Sequence, residues 1–186
     1  MRTKTQRFMA KRTSSALKLT VGLLVLLCCS LAPASEDTTV AKVYRHPTLN
    51  FEFNAPEGWE NVRHPEDGLI YEVKDPARGL RVMLWYTTTE QDCPSYLEKM
   101  ADMKGFRAET PAERLIGNRD GWIIETAGDI YGQSSRVMLA GVPSPGSYAE
   151  ENALHIVQIW CPEDKYDELR QQMTDILASV KVTPGG

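Results

Sequence analysis

The chain has 186 residues, 42% of them hydrophobic and 25% charged, a size and balance that suit one ordinary domain and exclude a disordered or fibrous protein. Its formal net charge is −4, but six of the 21 basic residues fall in the first 34 positions, where there is no acid; the remaining fifteen bases and 25 acids carry a net of −10. A surface that acidic repels phosphate backbones and argues against a nucleic-acid partner.

Residues 1–34 have three parts. A basic stretch holds Arg2, Lys4, Arg7, Lys11, Arg12 and Lys18; an uncharged apolar stretch runs from Leu19 to Ala32; and Ala32-Pro33-Ala34 supplies small residues. This is the pattern of a secretory signal peptide cleaved near Ala34, and it predicts a periplasmic or extracellular protein. The uncharged run Leu19–Ser35 has 17 residues, at the short edge of the ~20 that span a bilayer, so retention as an anchor is one alternative. Lipidation at Cys28 or Cys29 is another, poorly matched because Leu27 and Cys28 precede the two cysteines instead of small residues. Only such an anchor would give the chain a membrane partner.

Residues 35–48 are polar and read as a linker to one domain over 49–183. Leu49, Phe51 and Phe53 alternate with polar residues as in a half-buried strand, and Ala55-Pro56-Glu57-Gly58 turns the chain into Trp59. Leu69–Val73 and Leu80–Thr88 flank the turn residues Lys74–Gly79 and predict a hairpin. A helix follows, with Pro94 in its first turn, Leu97, Met100 and Met103 at helical spacing, and Gly105 as its C′ residue. Strands are expected at Ala112–Gly117, Trp122–Thr126, Arg136–Val142 and Ala153–Trp160, with a hairpin turn at Asn118-Arg119-Asp120-Gly121 and a long loop from Pro143 to Asn152. After Pro162, the residues Tyr166, Leu169, Met173, Ile176, Leu177 and Val180 mark one face of a second helix. Strands grouped around two helices in this order predict an α+β sandwich on a mainly antiparallel sheet.

Cys93 and Cys161 remain once the signal is removed, and each is followed by proline and a helical pattern. In an oxidising compartment they are expected to pair, closing a loop of 68 residues that would restrict the unfolded chain by roughly 4 kcal/mol. Two independent buried thiols are the other reading. No CxxC or HxxxH spacing accompanies them, so no metal site is assigned.

Phe51-Glu52-Phe53-Asn54-Ala55-Pro56-Glu57-Gly58-Trp59 resembles the opening strand and Pro-x-Gly-Trp turn of PsbP-like domains, and Tyr166–Val182 resembles their terminal helix and final strand. The resemblance covers about residues 43–183. That superfamily includes the extrinsic PsbP subunit of the oxygen-evolving complex, a Ran-binding nuclear import factor and many exported or lipid-anchored bacterial proteins. It implies an α/β/α sandwich with an antiparallel central sheet, acting as a binding or assembly module without catalysis. It implies no ligand, because fold does not carry function.

His46 and His64 precede prolines in polar loops and His155 lies in a strand pattern; they are expected to be solvated. Ser134-Ser135 lacks a nucleophile elbow, and Gly128 and Gly132 are isolated from any phosphate-binding motif, so neither a catalytic residue nor a cofactor is assigned. Met83 and Trp85 share one face of their strand, and with Met138 they would line an apolar groove if a sheet face were left open. Tyr148, among Gly, Ser and Glu in the longest loop, would suit contact with a basic partner. The expected function is an exported, non-catalytic binding module for an envelope protein or a small ligand. A carboxylate-dependent envelope hydrolase and a divalent-cation binder are the alternatives.

Overall fold

The computed structural model describes residues 41–46, 51–62, 71–107, 109–144 and 152–183. The signal segment, His64 and Tyr148 lie outside these residues.

Two antiparallel sheets and two helices form the structure. The larger sheet has seven strands in the order β3-β4-β5-β9-β8-β7-β6. These are β3 (Glu60–Val62), β4 (Tyr71–Lys74), β5 (Arg81–Thr89), β6 (Ala112–Ile116), β7 (Arg119–Ile130), β8 (Gln133–Pro143) and β9 (Asn152–Pro162). The smaller sheet places β2 (Phe51–Pro56) between β1 (Ala41–Arg45) and β10 (Lys181–Val182). Helix α1 (Cys93–Met103) covers one face of the large sheet, and α2 (Tyr166–Ser179) lies with the small sheet on the other. The expected α+β sandwich on an antiparallel sheet is therefore present.

Side-chain alternation along the central strands divides the core in two. On β8, Val137 and Leu139 join Leu97, Ala101 and Ile156 beneath α1, whereas Met138, Ala140 and Val142 join Leu169, Met173 and Ile176 beneath α2. On β9, Leu154, Ile156 and Trp160 face α1, while Val157, Ile159 and Cys161 face α2. Both faces of these strands are buried, which is why their sequences read as nearly unbroken apolar runs.

Helix α1 begins where Asp92 accepts a hydrogen bond from Ser95 N at 2.9 Å, and hydrogen bonding by Ser95, first from its side chain and then from its backbone, holds the Asp92 carboxyl below its usual range. It ends at Gly105, whose φ of +69° reverses the chain without a Cβ clash. Asp75 supports the β4–β5 turn: buried, it accepts from Ala77 N and Arg78 N and pairs with Arg78 Nε at 2.7 Å.

Four expectations are corrected. Residues 41–45, expected within a linker, form β1 and pair with β2, burying Tyr44. The β6–β7 turn is Gly117-Asn118, since Ile116 pairs with Arg119, and Asp120-Gly121 belongs to β7. Cys93 and Cys161 are free thiols, because Cys93 packs beneath α1 and Cys161 beneath α2, on opposite faces of the sheet. Finally, His46 and His155 are buried, not solvated. His155 meets the rings of Phe51 and Tyr86 edge to face at 5.0 and 5.4 Å.

Candidate functional site

A cavity of about 520 Å³ forms a groove between α2 and the β6–β7–β8 end of the large sheet. Its floor is apolar: Ile116, Ile123, Met138 and Leu177 are all buried there. Thr174 and Ala178 of α2 form one wall, and strand β6, with Arg114 on the groove face, forms the other. Leu115 is 68% exposed on β6, the terminal strand of the sheet, which pairs only with β7 among the described residues. Its side chain is on the opposite face of the strand from Ile116. An apolar trough beside an exposed edge strand is what segment-binding surfaces present.

The rim is charged and internally braced. Glu125 Oε2 accepts from Tyr166 Oη at 3.0 Å and from Arg170 Nη2 at 3.4 Å, and the Arg136 guanidinium stacks 4.7 Å from the Tyr166 ring centre. Burial, then the bond to Glu125, pushes the Tyr166 phenol above its usual range. Arg114 and Asp167 complete the rim. The groove width is fixed at one end by backbone. At Gly117, φ is +59° and an added Cβ would lie 1.6 Å from Val180 O, so the β6–β7 turn sits directly on the end of α2.

Two of the residues expected to line a common groove share a face, and the third does not. Met83 and Trp85 lie beneath the α1 side, whereas Met138 is buried on the α2 side, where it contributes to the groove floor. The pairing explains the split: Met83 stands opposite Gln158, which stands opposite Leu139, so Met138 is one residue out of phase. Trp85 is half-buried against the core beneath α1. Met83 instead reaches a smaller pocket of about 200 Å³ on that face, with Gln158 and Trp160. Nothing in the composition points to Leu115, but Gln158, the lone polar residue in Ile156–Trp160, is a signal the sequence did offer.

Among the described residues, no three His, Cys, Asp or Glu side chains gather within reach of one metal ion. No described helix is long and apolar enough to cross a membrane.

A seven-stranded antiparallel sheet between two helices, closed on one side by a three-stranded sheet, defines the PsbP/Mog1-type fold. The structure is similar to cyanobacterial PsbP (CyanoP) from Synechocystis sp. PCC 6803, with a TM-score of 0.57 and 11% identity over 80% of this chain and 96% of that one. It is similar to LpqN of Mycobacterium tuberculosis, a protein involved in cell envelope biogenesis, with a TM-score of 0.54 and 14% identity over 77% and 91% of the two chains. It is also similar to the Ran-binding protein Mog1p of Saccharomyces cerevisiae, at 0.53 and 9% over 79% and 97%. The chain spans about half (49%) of a Bacteroides thetaiotaomicron protein that it matches with a TM-score of 0.52. No protein-family model and no curated protein matches the sequence.

Proposed function

We propose that this chain is an exported, non-catalytic binding module of the cell envelope, and that it holds an extended segment of a protein partner in the groove between α2 and β6. The observation that carries this reading is the groove itself: an apolar floor along an edge strand, with Leu115 exposed on the other face of that strand. An added strand would pair with the outer backbone of β6 and set alternate side chains into the trough. The rim carboxylate Glu125 is already engaged by Tyr166 and Arg170, an arrangement that favours holding over chemistry. The net charge of −10 over residues 35–186 favours a basic segment. Export rests on the tripartite pattern of residues 1–34. Among the structural relatives, one is a Ran-binding protein and another is involved in cell envelope biogenesis, which supports a binding role in an envelope setting.

The test is site-specific photo-crosslinking in intact cells, with the photoreactive residue at Leu115, at Thr174, or at Val43 on β1 as an exposed control. One envelope protein captured at both Leu115 on the edge strand and Thr174 in the groove and not at Val43, and lost on Leu115→Asp or Ala178→Asp, is the expected result. Equal capture at Val43, or capture insensitive to both substitutions, overturns the reading.

A further inference from the structure

Strand β6 carries three unlike residues in a row, Glu113, Arg114 and Leu115, all exposed ahead of the buried Ile116. Ile116 joins the core beneath α2, so alternation puts Ala112 and Arg114 on that side and Glu113 and Leu115 on the α1 side. Among the described residues, neither Glu113 nor Arg114 makes an ion pair or a side-chain hydrogen bond. Each charge is therefore open to a residue set opposite it.

The backbone of the strand is equally definite. Gly117-Asn118 is a two-residue hairpin loop with φ +59° at Gly117, and such a loop closes on a hydrogen-bonded pair, here Ile116 with Arg119. Counting back along the ladder, Arg114 and Ala112 also bond to β7, opposite Gly121 and Ile123. Leu115 and Glu113 fall in the alternate pairs, so their N–H and C=O groups turn outward. Neither residue bonds to any described residue beyond β7. The edge thus offers two donors and two acceptors, spaced about 7 Å apart along the strand. Pro111, which has no N–H, bounds it on one side, and the turn bounds it on the other.

A second copy of this chain fits that edge badly. Antiparallel pairing about a two-fold axis at Arg114 sets two guanidinium groups opposite each other, and an axis at Glu113 sets two carboxylates opposite each other. An axis at Leu115 leaves only 114–116 to pair before the turn. An axis at Ala112 sets Pro111 against Glu113, where the ladder requires an N–H.

We propose that the strand added to β6 belongs to a different protein, runs antiparallel to β6, and carries an apolar, an acidic and a basic residue in that order. The apolar residue covers Leu115, the acidic one meets Arg114 on the groove side, and the basic one meets Glu113 beside Trp122. A small residue precedes the three, because it falls at the end where Gly117 sits on Val180. The inference rests on the proposed strand addition at β6 and names the sequence that addition selects.

Fluorescence anisotropy with the full-length chain tests it, using fluorescein-labelled Lys-Ala-Val-Glu-Lys-Val-Lys-amide and the exchanged Lys-Ala-Val-Lys-Glu-Val-Lys-amide. The two peptides have the same composition and differ only in the order of the central charges. The first should bind roughly tenfold more tightly, the swing of two cross-strand pairs from opposite to like charge. The double variant Glu113→Arg with Arg114→Glu should invert that order. N-methylation separates the code from the docking mode. On the first valine, opposite Leu115, it blocks a ladder bond and should abolish binding; on the glutamate, opposite Arg114, the N–H points away and binding should persist. Equal affinities, or an order that the double variant leaves unchanged, overturn the charge code, and the methylation pattern then still reports strand addition. Equal tolerance of the two methyl groups, or no saturable binding at millimolar peptide, overturns the code and the strand addition together.

Discussion

Acid should destabilise this protein through His155. Its imidazole pKa is lowered to about 4, first by burial and then by electrostatic repulsion from Arg119 and from His46. Its Nδ1 has no hydrogen-bond partner that would favour the charged ring. In the unfolded chain the same group titrates near its ordinary value of 6.5. Between these limits the unfolded state binds a proton that the native state does not, so stability rises with pH across that window and falls as pH is lowered through it. At about 1.36 kcal/mol for each pH unit of difference, the loss is about 1.4 kcal/mol at pH 5.5 and about 3 kcal/mol by pH 4, below which it levels off. His155→Phe keeps a ring against Phe51 and Tyr86 while removing the titrating group. Urea unfolding of both proteins from pH 7.5 to pH 4 measures the difference. The wild type should lose about 3 kcal/mol more than the variant. Superimposable pH profiles would refute the account of His155 as a neutral buried ring. Arg119→Gln should make the loss smaller and let it level off at a higher pH, because removing one of the charges that hold the proton off brings the native pKa closer to the unfolded one.

Gly117→Ala should destabilise the fold by more than about 3 kcal/mol, because it combines a positive φ with a Cβ driven into Val180 O; a loss under 1 kcal/mol in chemical denaturation would contradict the contact. Asp75→Ala should cost about 2–3 kcal/mol by stranding the amides of Ala77 and Arg78, read by the same assay. In native protein both Cys93 and Cys161 should resist alkylation, since burial raises Cys93 to about 12 and Cys161 to about 11. Denaturation without reductant should expose both to iodoacetamide, and an unmodified pair on mass analysis would restore the disulfide.

Elements whose pattern is set by local chemistry were legible in the residues. Pro94 and Gly105 bracket α1, and Leu169, Met173 and Ile176 trace the buried stripe of α2. Strand β1 was not legible: only Tyr44 is buried in it, so no alternation distinguishes it from a polar linker. The β6–β7 turn misled for a different reason. Asp120-Gly121 has hairpin chemistry, but Gly121 serves as a strand glycine, where a Cβ would meet Gly141 O at 2.6 Å. The grouping of Met83, Trp85 and Met138 failed on parity, because strands buried on both faces do not reveal which residues look the same way until their partners are known. The cysteine pairing failed on the same ground. Of the groove, only Met138 stands out in the sequence as a candidate binding residue, since a site made between an edge hairpin and a C-terminal helix depends on contacts across more than 40 residues.

The seating of Gly117 on Val180 has a consequence for how the groove would take a guest. Side chains can rotate to widen a cleft, but two main chains in contact have no such freedom. At that end the spacing between β6 and α2 is therefore the same before and after occupation. A guest would find a slot of preset gauge and forgo the ordering cost that a self-adjusting surface imposes. Discrimination among guests would then rest on side-chain size along the trough, and a bulkier residue at the Gly117 end would be refused outright.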